Sequence, residues 1–222
     1  KNFWAAKLGR DSLTVIWDDS AAEKRSSSTM MEQYRRLADQ PAASARNEGD
    51  VAAALRGAVH KLSAEFEFPY LAHAPMEPLD AVVKLDAASC EIWAGDQFQT
   101  VDQANAARTA GLTPQQVSIH TLYAGGSFGR RANAGSDYIV EAVSIAKACG
   151  ADGTPIKLQW TREDDIHGGL YRPMFFHKFE AGLNEKGELT AWKHVMVGQS
   201  IMAGTPFAAA IKDGIDPTSV EG

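Results

Sequence analysis

An α+β fold, a mixed sheet with packed helices, is what this sequence predicts, and three observations lead there. From Val59 the chain alternates with period two: His60, Leu62, Ala64, Phe66 and Phe68 fall on one side, Lys61, Ser63, Glu65 and Glu67 on the other. An alanine-rich stretch from about Asp102 to Ala110 reads as a helix stopped by Gly111. Strands and helices mix without the repeating βαβ rhythm of a doubly wound sheet, and no internal repeat is present.

The elements follow in order. Trp4–Leu8 reads as a short helix and Ser12-Leu-Thr-Val-Ile-Trp17 as a strand ended by Asp18-Asp19, before a polar loop over 21–28. Thr29-Met-Met-Glu32 fits a capping box, which starts a helix from about Met30 to Ala38 with Met31, Tyr34 and Leu37 on one face. Asp50 caps a second short helix through Leu55. After the alternating strand, Pro69-Tyr-Leu-Ala-His-Ala-Pro-Met-Glu-Pro78 is irregular, because its prolines break any continuous helix. Ala81–Leu85 and Cys90–Ala94 are strands joined by Asp86-Ala-Ala-Ser89, and Val117–Tyr123 is another. Asp137 caps a helix that carries Ile139, Val143 and Ala146 on one face and ends at Gly150. Pro155–Thr161 turns Ile156, Leu158 and Trp160 inward, and Asp164-Asp165 reads as a helix start. Phe175–Leu183, the turn Asn184-Glu-Lys-Gly187 and Leu189–Val197 form a hairpin. The last twenty residues carry no strong pattern.

At 222 residues the chain holds one or two domains and can bury a substantial core. Its net charge of −6 argues against nucleic acid as a partner, and no stretch reaches the roughly 18 apolar residues of a membrane helix. Cys90 and Cys149 lie far apart without C-x-x-C spacing, so they encode neither a zinc site nor an iron–sulfur cluster; both read as small packed groups. The start at Lys1-Asn-Phe-Trp, with no signal peptide, reads as that of an excised piece.

The segment richest in chemistry is Tyr123-Ala-Gly-Gly-Ser-Phe-Gly-Arg-Arg131, a glycine turn between a strand and a helix, closed by two cations. Bare N–H groups, the dipole of the following helix and the arginine charges suit an anion. A Walker A loop fails, since no Lys-Ser/Thr pair follows the glycines, and a dinucleotide fingerprint fails because position 127 is Ser. Taken by itself the loop is as well read as a plain connecting turn. His73 and Glu77 are four apart, but Pro75 and Pro78 deny them a helix, and His-Glu-x-x-His is absent. His167, His177 and His194, in or beside the hairpin, read as structural or exposed. Ser127 lacks a G-x-S-x-G elbow. Gln97, in a polar loop, can donate its amide to an oxo or carbonyl oxygen; Arg172, near Gly168-Gly169, can stabilise developing negative charge. Singly, each is an ordinary surface residue.

Together, Pro69 to Pro78, Trp93-Ala-Gly-Asp-Gln97, Gly125-Gly-Ser-Phe-Gly-Arg-Arg131, Trp160-Thr-Arg-Glu-Asp-Asp165 and Tyr171-Arg-Pro-Met174 resemble the molybdopterin-binding large subunit of the xanthine dehydrogenase and aldehyde oxidase family. The branch resembled most is the isoquinoline 1-oxidoreductase beta subunit, a group also named as aldehyde dehydrogenases. The resemblance covers roughly residues 60–200. It implies a remnant of the upstream α/β hammerhead-like domain with a linker over 1–57, the first part of a molybdopterin-binding domain over 58–202, and an irregular tail over 203–222.

The same resemblance implies a molybdopterin cofactor, in bacteria commonly the cytosine dinucleotide, held in the full-length protein and absent or weakly held in this piece. Gln97 would approach the molybdenum oxo group. Gly125, Gly126, Ser127, Phe128, Gly129 and Arg130 would line the cofactor, and Arg172 would orient substrate or stabilise the transition state. No residue here is expected to ligate a metal directly. The implied reaction hydroxylates an aldehyde or N-heteroaromatic carbon with water as the oxygen source. Electrons would leave through a small [2Fe–2S] subunit, with a cytochrome c as a further acceptor, and the family suggests a periplasmic or membrane-associated location. Ala132 stands where purine-oxidising relatives place a glutamate, which disfavours purines. The family's general-base glutamate, in a Gly-Glu motif near the subunit's end, is not supplied after residue 200; Val220-Glu221-Gly222 is not that motif. The expectation is a piece inactive by itself, and the competing expectation is a non-catalytic module that docks another subunit.

Overall fold

The computed structural model describes residues 2–212 and 216–220. In chain order the elements are α1 (Phe3–Asp11), α2 (Ser27–Ala38), α3 (Val51–Gly57), β1 (His60–Phe68), β2 (Asp80–Leu85), β3 (Cys90–Ala94), α4 (Gln99–Ala110), β4 (Val117–Thr121), α5 (Asp137–Ala148), β5 (Ile156–Gln159), α6 (Arg162–His167), β6 (Phe175–Leu183) and β7 (Leu189–Gly198). They form an α+β molecule with two sheets. The chain divides into two compact units: Lys1–Glu23 with Ala72–Leu170, and Lys24–Leu71 with Tyr171–Gly222.

The first unit is built on a mixed sheet ordered β4-β3-β2-β5. Strand β2 pairs antiparallel with β3 and β5, while β3 and β4 run parallel, Cys90 opposite Val117 through Ala94 opposite Thr121. A parallel pair needs a crossover, which α4 supplies. Gly111 ends that helix with φ at +85°, a left-handed conformation that glycine adopts without a Cβ penalty. Ala81, Val83 and Leu85 of β2 and Cys90 and Ile92 of β3 are buried with Ile139, Val143 and Ala146 of α5. The period of two in the strands thus meets the predicted stripe of the helix. Burial raises the Cys90 thiol to about 11.

The second unit is a sheet ordered β1-β6-β7, antiparallel throughout. One face packs on α2: Phe176, 1% exposed, lies with Met31, Tyr34 and Ala38. Farther along the same strand, a Cβ on Gly182 would come within 2.7 Å of the Ala58 methyl, so glycine is what lets the end of α3 approach. The other face is aromatic and open. Phe66, Phe68 and Trp192 are about half exposed, and His177 Nδ1 lies 2.8 Å from His194 Nε2 between stacked rings. Burial lowers both imidazole pKa values, and the neighbouring His194 lowers that of His177 further.

Several expectations need correction. Residues 13–19 form no strand and join neither sheet, and Ile16 and Trp17 are among the most exposed apolar side chains. Apolar and β-branched composition alone cannot make a strand where no sheet edge receives it. Helix α2 starts earlier than expected, with Ser26 rather than Thr29 at its N-cap, the Ser26 hydroxyl accepting from the Thr29 N–H at 3.2 Å. Asp137 is the first helical residue of α5, and Ser136 is its N-cap. Cys149 is exposed, not packed. In the tail 203–222, residues 213–215, 221 and 222, including Glu221-Gly222, lie outside the described residues.

Truncating Phe176 to Ala should cost about 3–5 kcal/mol of unfolding free energy by denaturant titration. Leu62→Ala, on the open face at 59% exposure, should stay within about 0.5 kcal/mol.

Candidate functional site

The glycine loop is set by where β4 and the proline-rich segment leave it. At Gly125 the loop lies flat against Glu77: the Gly125 N–H donates to Glu77 Oε2 at 2.9 Å, and the Glu77 N–H donates to the Gly125 carbonyl at 3.1 Å. A Cβ at position 125 would fall 2.7 Å from the Glu77 Cβ, so this approach requires glycine. Gly126, Phe128 and Gly129 then take φ of +101°, +56° and +91°. For Phe128, which has a Cβ, that conformation costs of order 1–3 kcal/mol, yet its ring is 68% exposed and gains little packing in return. The N–H groups of Gly126, Ser127, Phe128 and Gly129 make no hydrogen bond to any described residue. Successive N–H groups on a backbone that alternates into the left-handed region form an anion- or oxygen-binding concavity.

Gln97 joins this loop. It sits on the turn after β3, which Asp96 shapes by accepting the Phe98 N–H at 2.7 Å. The buried Ser127 hydroxyl donates to Gln97 Oε1 at 2.5 Å and accepts from the Arg131 N–H at 3.1 Å. Because its oxygen is taken by a donor, the exposed Gln97 presents its NH2 end, which bonds no described residue.

The two arginines behave otherwise than their sequence position suggests. Arg130, 4% exposed, is held by Asp137 at 3.2 and 2.5 Å and lies 5.6 Å over the Trp160 ring. Arg131 is fully buried: it donates to the Gly95 carbonyl at 3.1 Å, the Gly126 carbonyl at 3.3 Å, the Glu77 carbonyl at 3.2 Å and Glu77 Oε1 at 2.7 Å. Both charges are met inside the fold, so the cations that close the loop are not offered to an external anion. Nor does a helix start directly at the loop. Helix α5 begins only at Asp137, whose own carboxylate accepts the Tyr138 N–H at 2.9 Å. What the loop presents is neutral N–H and amide donors.

Below the Gln97 turn lies a pair that sequence reading missed. Asp102, on the first turn of α4, is 1% exposed and Asp96 is 7% exposed. As carboxylates, Asp96 Oδ2 and both Asp102 oxygens find no donor. Burial first, then the neighbouring Asp96, pushes the Asp102 carboxyl up to about 8. The proton that Asp102 thereby keeps is a donor within the cluster. The spacing of six between two acids in a polar turn and an alanine-rich helix gives no hint of this, because the helix start folds one back under the other. Glu77, weighed in the sequence only as a metal ligand, is instead the carboxylate that anchors the loop.

Arg172 belongs to the second unit. Its backbone bridges to Leu71, N–H to carbonyl at 3.0 Å one way and 3.4 Å the other, and its exposed guanidinium makes no ion pair with a described residue.

Comparison with known proteins shows the family and the fold. The model of the molybdopterin cofactor-binding domain matches residues 35–211. The isoquinoline 1-oxidoreductase subunit beta of Brevundimonas diminuta is 35% identical over 143 residues, 64% of this chain and 18% of that protein. The membrane-bound aldehyde dehydrogenase (pyrroloquinoline-quinone) of Gluconacetobacter polyoxogenes is 25% identical over 218 residues, 97% of this chain and 28% of that protein. Among solved structures, quinoline 2-oxidoreductase from Pseudomonas putida 86 aligns with TM-score 0.55 and 15% identity over 66% of this chain and 18% of that one, a likeness of fold. The chain therefore spans between 18% and 28% of the length of these three proteins.

The buried acid pair sets a pH signature. The folded chain holds the Asp102 proton up to about pH 8, the unfolded chain only to about 3.8. Stability should therefore fall as pH rises between those values and level off above. Chemical denaturation of Asp102→Asn across that range should remove this component of the slope, with the variant gaining on the wild type toward alkaline pH.

Proposed function

We propose that this chain, which belongs to the molybdopterin cofactor-binding domain family, forms one wall of the cofactor site in an oxidoreductase that hydroxylates aldehydes or N-heteroaromatics with water as the oxygen source. The observation that carries the reading is the run of four unclaimed N–H groups from Gly126 to Gly129 beside the free amide of Gln97. That donor set fits an oxygen-rich group: it is neutral and held by the buried Ser127 and Arg131. The open space at Gly129, where a Cβ would meet nothing within 4 Å, leaves room for one. The bound cofactor, here taken to be the cytosine dinucleotide form, supplies the two-electron oxidation.

The chain's own residues bind and orient. Gly126, Ser127, Phe128 and Gly129 present backbone donors to the cofactor, Gly125 seats the loop on Glu77, and Arg130 holds the loop's exit through Asp137. Gln97 donates through its amide NH2, and Ser127 stops that amide from flipping. Arg172, unpaired among described residues, orients the substrate oxygen and offsets charge that develops there. None of these is a base at the reacting carbon, so the reading assigns proton removal to a carboxylate outside residues 1–222. With only Cys90 and Cys149 present, electron exit falls to a separate [2Fe–2S] subunit, with a cytochrome c beyond it. The reading also places the assembly in the periplasm or at a membrane, in line with the membrane-bound relative; no helix among the described residues is long and apolar enough to cross one.

A second reading, a non-catalytic docking module, draws on the open aromatic face of β1-β6-β7. Metal analysis separates the two. The 222-residue chain alone should carry well under one molybdenum per molecule and show no hydroxylase turnover, while the longer polypeptide that contains it should carry about one. In that holoenzyme, Gln97→Ala should lower kcat roughly 10²–10³-fold, the usual effect of losing one well-placed donor. A full-length protein without molybdenum would favour the docking module.

A further inference from the structure

We propose that Arg131, with Glu77, is the positioning residue that sets the distance between the Gln97 turn and the glycine loop, a role that rests on the cofactor reading only for its consequence and not for its geometry. Three chain segments arrive at one buried point. The proline-rich segment brings the Glu77 carbonyl and carboxylate, the turn after β3 brings the Gly95 carbonyl, and the loop brings the Gly126 carbonyl. All are acceptors, and without a donor among them they would repel one another in a partly buried place, where Arg131 itself is out of reach of water. The Arg131 guanidinium, 0% exposed, donates to all four. The neighbouring Tyr138 hydroxyl donates to the same Gly95 carbonyl at 3.1 Å.

The positions bound in this way flank the presenting groups. Gly95 stands two residues before Gln97, and Gly126 stands immediately before Ser127, so the Arg131 fork spans the base of the Ser127–Gln97 hydrogen bond. Glu77 closes the arrangement: Oε1 holds Arg131, and Oε2 holds the Gly125 N–H. A lysine carries one nitrogen in place of a planar fork and cannot serve Gly95, Gly126 and Glu77 together. Arg131 thus decides where the Gln97 NH2 and the free loop N–H groups stand relative to each other, while touching no ligand.

The test compares R131K and E77Q with V83A, which loosens the core of the same unit away from this point. Nuclear magnetic resonance of the folded 222-residue chain reads the Gln97 side-chain amide and the backbone amides of Ser127 and Phe128. The longer polypeptide is assayed for pterin and molybdenum retained through dialysis. In R131K the Gln97, Ser127 and Phe128 signals should shift and retention should fall at least roughly 10-fold, with E77Q moving the same signals less. V83A, of lowered stability, should leave both readouts at wild-type values. If R131K does not fold, E77Q decides. Unmoved Gln97 and Ser127 signals in a folded R131K or E77Q overturn the proposal, as does an equal response in V83A. Shifted signals in R131K or E77Q, together with a wild-type longer polypeptide that retains no pterin, leave the positioning role standing and overturn the cofactor reading.

Discussion

A buried positive charge must be surrounded by acceptors or it unfolds what surrounds it, and in this chain that requirement falls on Arg131. Its desolvation is tolerable only because a carboxylate and three carbonyls are brought to within 3.3 Å. The constraint runs both ways. The proline-rich segment, the turn after β3 and the glycine loop have no regular secondary structure to align them, and the guanidinium is their common partner. Arg130 repeats the logic one residue earlier, where Asp137 ties the loop's exit to the start of α5. The irregular part of the first unit is therefore ordered by charge pairing, while its sheet and helices are ordered by apolar burial.

That division explains what could be read in the sequence. Where order comes from apolar periodicity, reading succeeds. His60–Phe68, the hairpin 175–197 and the Ile139, Val143, Ala146 stripe are local patterns; the stripe is buried where it stands, and β1, exposed along its length, is held by its pairing with β6. Ser12–Trp17, apolar and rich in β-branched residues, reads as a strand and fails, since a strand also needs a partner edge, which no local pattern encodes. The site is legible only in part. Gly125, Gly126 and Gly129 announce a loop with unusual backbone, and three of its φ angles are indeed positive, Phe128 among them. The fate of Arg131 was hidden, because Glu77 stands more than fifty positions upstream and no spacing rule couples them, and that of Arg130 because its partner Asp137 reads as a helix cap. Gln97 gained its orientation from Ser127, thirty residues on. The acid pair Asp96 and Asp102 was invisible because ordinary acids near a helix start are solvated and favoured by the dipole.

The second unit presents a different balance. Its sheet buries one face on Met31, Tyr34 and Ala38 and leaves the other to aromatic rings and two apposed imidazoles. Stacking among Phe179, His177 and His194 keeps that face ordered without covering it. Both imidazoles are held toward the neutral form, so the face carries little charge of its own at neutral pH.

The chain order of the two units carries a consequence for how the protein is made. Strand β1 ends at Phe68 and its partner β6 begins at Phe175, with most of the first unit lying between them. During synthesis at roughly 5–20 residues per second, β1 emerges as an unpaired, half-apolar edge and waits several seconds for its neighbour. The intervening strands and helices close among themselves over short separations and can be complete before then. The ends of that inserted unit then stand ready to be brought together, which shortens the effective loop that β1 and β6 must close. A defect that slows the inserted unit would thus surface as misassembly of a sheet to which it contributes no strand.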